Sequence, residues 1–177
     1  MKNIEDICVI VQARLSSQRV PQKMIKPFCG TTLTDICIQK LLKSKAVSRY
    51  SLYMSVYEEE LQDICQKHNV NVFLRSEASA KSEGTPMTEI FEWWDKLPYK
   101  YVVMVNACCP LLKIETIDKF VEAYANSDSR GLFGVIKKKN YFWNSDGEDT
   151  IFVRSINLTN INIAVDIPRS TERCNKV

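Results

Sequence analysis

Short apolar segments alternate with amphipathic ones along most of this chain, and that alternation restricts the fold more than any other feature. Residues 7–12 (Ile-Cys-Val-Ile-Val-Gln) form a β-branched run long enough for one buried strand. Leu33, Ile36, Cys37, Lys40, Leu41 and Leu42 then fall on one helical face, predicting a helix over about 32–44. The same alternation predicts strands at 50–56, 70–74, 101–105 and 131–136. Helices are predicted at 58–68, 88–96 and 114–126, with Ile90, Phe91 and Trp94 facing inward in the second of these. Repeated β-α units of this kind specify an α/β fold: a mostly parallel sheet with helices on both faces. Beyond Lys137 the rhythm changes to a turn-rich stretch, 140–149, and two short strand-like pieces, 151–154 and 161–166.

The first predicted strand ends in a loop of unusual chemistry. Residues 12–23 read Gln-Ala-Arg-Leu-Ser-Ser-Gln-Arg-Val-Pro-Gln-Lys, so Arg14, Arg19, Lys23 and the nearby Lys26 accompany two serines. Arginine forks and lysine point charges suit phosphate oxygens. Open α/β sheets bind ligands at the carboxyl ends of their strands. The loop therefore reads as a polyanion site, most naturally for a nucleoside triphosphate; the alternative is a solvated basic loop.

Further segments are candidates for the same rim or its surroundings. Arg75, in Leu74-Arg75-Ser76-Glu77, follows the third strand and could meet a base or ribose, or simply belong to a helix cap. Thr85 stands ahead of Pro86 as a possible helix cap. Asn106 ends the fourth strand with both a donor and an acceptor, ahead of Cys108-Cys109-Pro110-Leu111. Asp166, in Ala164-Val165-Asp166-Ile167-Pro168, is a candidate magnesium ligand or a surface residue before a turn. The run Lys137-Lys138-Lys139 ahead of Tyr141, Phe142 and Trp143 borders a sugar pocket or ends a solvated strand.

Composition narrows the class. The 177 residues suffice for one domain spanning 1–177, and the net charge of +3 argues against nucleic acid as a partner. No apolar stretch is long enough for a membrane span. Seven cysteines without a Cys-x-x-Cys pair read as reduced, mostly buried thiols, and with no signal peptide in evidence the expected location is the cytoplasm. His68, the sole histidine, reads as a surface or helix-end residue, and its solitude excludes a His-based triad. Neither Gly-x-Gly-x-x-Gly nor Gly-Lys-Ser/Thr nor Asp-x-Asp occurs.

The segment Ala13-Arg14-Leu15-Ser16-Ser17-Gln18-Arg19-Val20-Pro21-Gln22-Lys23 matches A-R-x-x-S-x-R/G-x-P-x-K at every fixed position. On this motif the chain resembles the cytidylyltransferases that activate acidic sugars: the acylneuraminate (CMP-sialic acid) synthetases, the CMP-Kdo synthetases and their polysaccharide-biosynthesis relatives. Gly30-Thr31-Thr32-Leu33 is similar to the family's G-x-P-L at the start of the first helix. The resemblance implies a Rossmann-like sheet of the nucleotide-diphospho-sugar transferase type. It also implies transfer of CMP from CTP to an acidic sugar or related acceptor, with release of pyrophosphate, in surface polysaccharide biosynthesis.

By the same resemblance Ala13, Arg14, Ser17 and Lys23 bind the nucleotide, with Arg14 and Lys23 catalytic. Arg75 and Asn106 contact the base, Asp166 holds Mg²⁺, and the protein forms a homodimer. The sequence departs from the family at Pro168, where relatives carry a second Asp, and at Cys108, where CMP-Kdo synthetases carry one. Residues 140–166 form a shortened arm where relatives carry sugar and dimer contacts. A non-catalytic or divergent nucleotide- or sugar-binding module on the same scaffold is the alternative expectation.

Overall fold

A computed structural model describes residues 1–81, 85–142, 152–158 and 162–166. Its centre is β1 (Ile7–Gln12), whose five apolar residues leave at most a few per cent of their surface exposed. Such a strand must be covered on both faces and paired at both edges. β2 (Leu52–Val56) and β4 (Tyr101–Val105) pair with it in parallel, and β3 (Asn71–Leu74) extends the sheet beyond β2. The order is β3-β2-β1-β4-β8-β5, where β5 is Gly131–Phe133 and β8 is Asn162–Asp166. β8 runs antiparallel to both β4 and β5, so the sheet is mostly parallel as expected. β6 (Ile136–Phe142) and β7 (Phe152–Leu158) form a separate antiparallel ribbon. The lysines at 137–139 therefore lie within a paired strand rather than at the frayed end of β5.

Three longer helices supply the larger core. α1 (Leu33–Lys43), α2 (Glu59–Lys67) and α5 (Ile114–Ala125) bury Ile38, Leu41, Leu61, Cys65, Ile117, Val121 and Tyr124 in a cluster with Val9, Val11, Leu52 and Val103. Apolar burial of this kind contributes about 1.5–3 kcal/mol per large side chain.

A smaller cluster contains Ile10, Val102 and Trp93, and shorter helical turns supply its cover. Here the structure corrects the expected helix over 88–96. The chain makes one turn, α4 (Met87–Ile90), breaks at Phe91 (φ −104°, ψ 40°) and resumes as a 3₁₀ turn over Glu92–Asp95. That break rotates Trp93, not Trp94, fully into the core. Pro86, not Thr85, occupies the cap position of α4, while Thr85 Oγ1 donates to the Ala78 carbonyl at 3.1 Å. His68 caps the end of α2, but its ring is only 14% exposed because Nε2 lies 2.7 Å from Asp35 Oδ1. Cys8, Cys37 and Cys65 are buried free thiols, whereas Cys29 and Cys108 are exposed.

Candidate active site

The chain leaves β1, builds β2 and β3 on one side, and then crosses to place β4 on the other. The strand order thus reverses between β1 and β4, and the crevice above their carboxyl ends is the place where doubly wound sheets hold ligands. A cavity of about 340 Å³ lies there, lined by Gln12, Ala13, Arg14, Ser17, Gln18, Arg19, Lys23, Met24, Asn106 and Cys108. Its size falls within the range of small-molecule sites.

The first loop is held from several directions. Ala13 N donates to Ser55 O at 3.1 Å, prolonging the sheet by one residue. Leu15 N donates to Glu58 Oε1 at 2.7 Å, Ser16 Oγ to Ala80 O at 2.9 Å, and the Arg14 guanidinium to Lys81 O. Gln22 takes a left-handed φ of 53°, a conformation that costs a non-glycine residue about 1–2 kcal/mol, immediately before Lys23. Strain of this kind gathers where a neighbouring side chain must be aimed. Met24 is buried, and its carbonyl accepts from both Thr34 N (3.2 Å) and Thr34 Oγ1 (2.8 Å), which ties the loop to α1. Between them, Cys29 and Gly30 both adopt positive φ, as a two-residue hairpin turn requires, and Thr32 Oγ1 then caps α1 by accepting from Asp35 N.

No carboxylate pairs with Arg14, Arg19 or Lys23 among the described residues. The cavity therefore presents three cations and a serine hydroxyl to whatever enters it. Across from them, Asn106 Oδ1 accepts from Cys108 N at 2.9 Å, which leaves the amide NH₂ available to donate to a ligand. The structure brings together Ala13, Arg14, Ser17, Arg19, Lys23 and Asn106, six of the residues picked out from sequence. Gln12, Gln18, Met24 and Cys108 complete the lining without having been assigned to it.

Two expected residues are elsewhere. Arg75 is 4% exposed and turned into the cap of α3 (Glu77–Ala80), where Nε donates to Ser79 Oγ at 3.0 Å and Nη2 to Ser79 O. Burial and the neighbouring Arg14 push its pKa down, with Glu92 and Glu58 acting against them. It stands behind the first loop and does not line the cavity. Asp166 is paired in register with Tyr101, whereas Asn162 is paired with Val105. Because β8 runs antiparallel, Asp166 stands at the opposite end of β4 from Asn106, level with Tyr101 and five residues or roughly 17 Å along the strand.

Among the described residues, the donor set does not fit a protein-held magnesium ion at this cavity. Its described lining contains no Asp or Glu, and no group of three metal-ligating side chains gathers anywhere among the described residues. Trp143, Pro168 and Arg169 lie outside the described residues.

A mostly parallel sheet with a cationic pocket at its switch point defines an α/β protein with a ligand cleft of the doubly wound kind. A sequence model of the cytidylyltransferase family matches residues 8–177, and the chain belongs to that family. It is 23% identical over 128 residues to the spore coat polysaccharide biosynthesis protein SpsF of Bacillus subtilis, covering 71% of this chain and 52% of that one. It is 25% identical over 123 residues to a 3-deoxy-manno-octulosonate cytidylyltransferase of Neisseria meningitidis serogroup A, covering 70% and 47%. The chain thus spans about half the length of these curated relatives.

Among solved structures, a cytidylyltransferase from Leptospira borgpetersenii superimposes with a TM-score of 0.61 at 20% identity, over 92% of this chain and 60% of the other. A CMP:2-keto-3-deoxy-manno-octonic acid synthetase complexed with CTP gives 0.64 at 11% identity, over 90% and 73%. These similarities establish the nucleotide-diphospho-sugar transferase type of fold.

Proposed function

We propose that the protein transfers CMP from CTP to an acidic sugar or a closely related acceptor and releases pyrophosphate, in the assembly of a surface polysaccharide. The observation that carries this reading is the trio of cations at the switch point with no carboxylate partner among the described residues, opposite an asparagine amide. A triphosphate matches the cations, and the Asn106 NH₂ suits the acceptor-rich edge of cytosine. A hydroxyl of the acceptor attacks the α-phosphorus in line. The new O–P bond forms as the bond to the β-phosphate oxygen breaks, and the hydroxyl proton passes to solvent. Phosphoryl-type transfer depends chiefly on positioning and charge stabilisation. Arg14 and Lys23 meet the charge that gathers on the departing pyrophosphate. Magnesium is proposed only as a counter-ion carried in by the nucleotide.

The test is pyrophosphate release from each of the four nucleoside triphosphates in the presence of a panel of keto-acid sugars. Release confined to CTP and dependent on one of the sugars is the expected result. CTP binding without release from any acceptor would favour a non-catalytic binding module, the reading that Pro168 also motivates.

A further inference from the structure

Lys40 projects from α1 beneath the loop that follows β4. Its Nζ donates to the carbonyls of Cys109 (2.7 Å), Pro110 (3.0 Å) and Leu112 (3.1 Å). All three ammonium protons are used, each on a backbone oxygen and none on a carboxylate. The loop they gather carries Asn106 and Cys108, the cavity's wall on the β4 side. Otherwise the loop is lightly anchored. Ala107 is buried and Leu112 packs partly on the core, but Leu111 is 91% exposed. Its described internal backbone bonds are Cys109 N to Asn106 O (3.2 Å) and Leu112 N to Cys109 O (3.1 Å). Pro110 has no N–H to contribute. Without Lys40, three carbonyls close to the protein body lose a charged donor together, and the loop has little reason to keep one conformation.

We infer that Lys40 is a positioning residue for nucleotide recognition: by drawing in three carbonyls it fixes the β4 loop so that Asn106 meets the base half of the ligand. This rests on the CTP reading above. The first loop, with Arg14, Arg19 and Lys23, is held by a different set of contacts, so Lys40 acts on the base and not on the phosphates.

The experiment is calorimetric titration of wild type and Lys40→Met with CTP and, separately, with inorganic tripolyphosphate. Circular dichroism monitors the fold. The expected result is at least about a tenfold weakening for CTP, with tripolyphosphate changed by less than about twofold. Asn106→Ala weakens CTP comparably, and the double variant binds no worse than the weaker single one. Lys40→Met binding CTP as wild type does, or losing both ligands equally, would overturn the inference, as would additive losses in the double variant.

Should Lys40→Met fail to fold, Lys40→Arg keeps the charge but cannot place three donors in the same way. It is expected to weaken CTP selectively, and unchanged CTP affinity would overturn the proposal. Wild-type protein that does not bind CTP overturns the nucleotide reading and this inference with it. Wild type that binds CTP beside an unimpaired Lys40→Met overturns the inference alone.

Discussion

Arg14 and Lys23 line the cavity with no carboxylate partner among the described residues, so their charge is available to a ligand. Replacing either by Ala should slow cytidylyl transfer at least about tenfold, about 1.4 kcal/mol of transition-state stabilisation, with little change in melting temperature. Steady-state kinetics on the two variants checks this, and unchanged turnover in both would remove the assigned phosphate loop. Arg75 should behave in the opposite way. Its guanidinium is buried against Ser79, so Arg75→Leu leaves the Ser79 oxygens without donors and should cost about 1–3 kcal/mol of folding stability, read by urea denaturation.

At this scale the sequence revealed the first loop well, because its cations, serines and prolines are contiguous and need no tertiary context. For Arg75 the sequence left a base or ribose contact and a helix-cap role both open, because the turn of residues 77–80 that holds its guanidinium forms only in the fold. Lys40 left a legible trace: a cation set among Leu33, Ile36, Cys37 and Leu41 on an otherwise apolar face has to find oxygen acceptors somewhere.

Among elements, α1 and α2 are joined at a charged contact that ties the helix after the first loop to the rest of the domain. Asp35, near the start of α1, lies 2.7 Å from His68 Nε2 and 3.7 Å from Lys67 Nζ, and accepts from Thr32 Oγ1 at 2.7 Å. Burial works to raise the Asp35 pKa, but the Thr32 hydroxyl, His68 and Lys67 outweigh it and hold the carboxyl below its ordinary 3.8. A carboxyl depressed on folding contributes stability that is fully present above its unfolded pKa and is lost as pH falls through the folded one. Stability should therefore decline below about pH 4, and Asp35→Asn should flatten that decline while lowering stability at neutral pH. Chemical denaturation between pH 7 and 3 measures both; a parallel decline in the variant would exclude Asp35 as a source.

Element type was readable in β1 from its unbroken β-branched run and in α1 and α5 from helical periodicity. The interruption at Phe91 was not readable, because Ile90, Phe91, Trp93 and Trp94 are all apolar and only packing decides which enters the core. The direction of β8 was equally hidden. A five-residue strand with a polar residue at each end, Asn162 and Asp166, carries no signal of its direction, and its antiparallel run between β4 and β5 is what places Asp166 at the far end of β4 from the cavity.

Across the whole molecule, the sheet places a positive end over the β1–β4 crevice and keeps carboxylates out of the described lining. Glu58 reaches the first loop from outside the cavity lining: Oε1 accepts from Leu15 N, and Oε2 is buried with no hydrogen-bond partner among the described residues. This arrangement has a consequence for metal dependence. If the protein itself held the ion, chelation would abolish nucleotide binding along with turnover. With the charge of the triphosphate met by Arg14, Arg19 and Lys23, binding should survive EDTA.

CTP at a hundred times its dissociation constant adds about 2.7 kcal/mol, which for a chain of this size raises the melting temperature by about 5–10 °C. That rise should persist in EDTA, should be absent with ATP, GTP and UTP at the same concentration, and should fall in the Lys23→Ala variant. Disappearance of the shift on chelation would mean that protein carboxylates beyond the described lining complete the site. A shift of equal size with every nucleotide would mean that the cations alone bind and Asn106 does not discriminate the base.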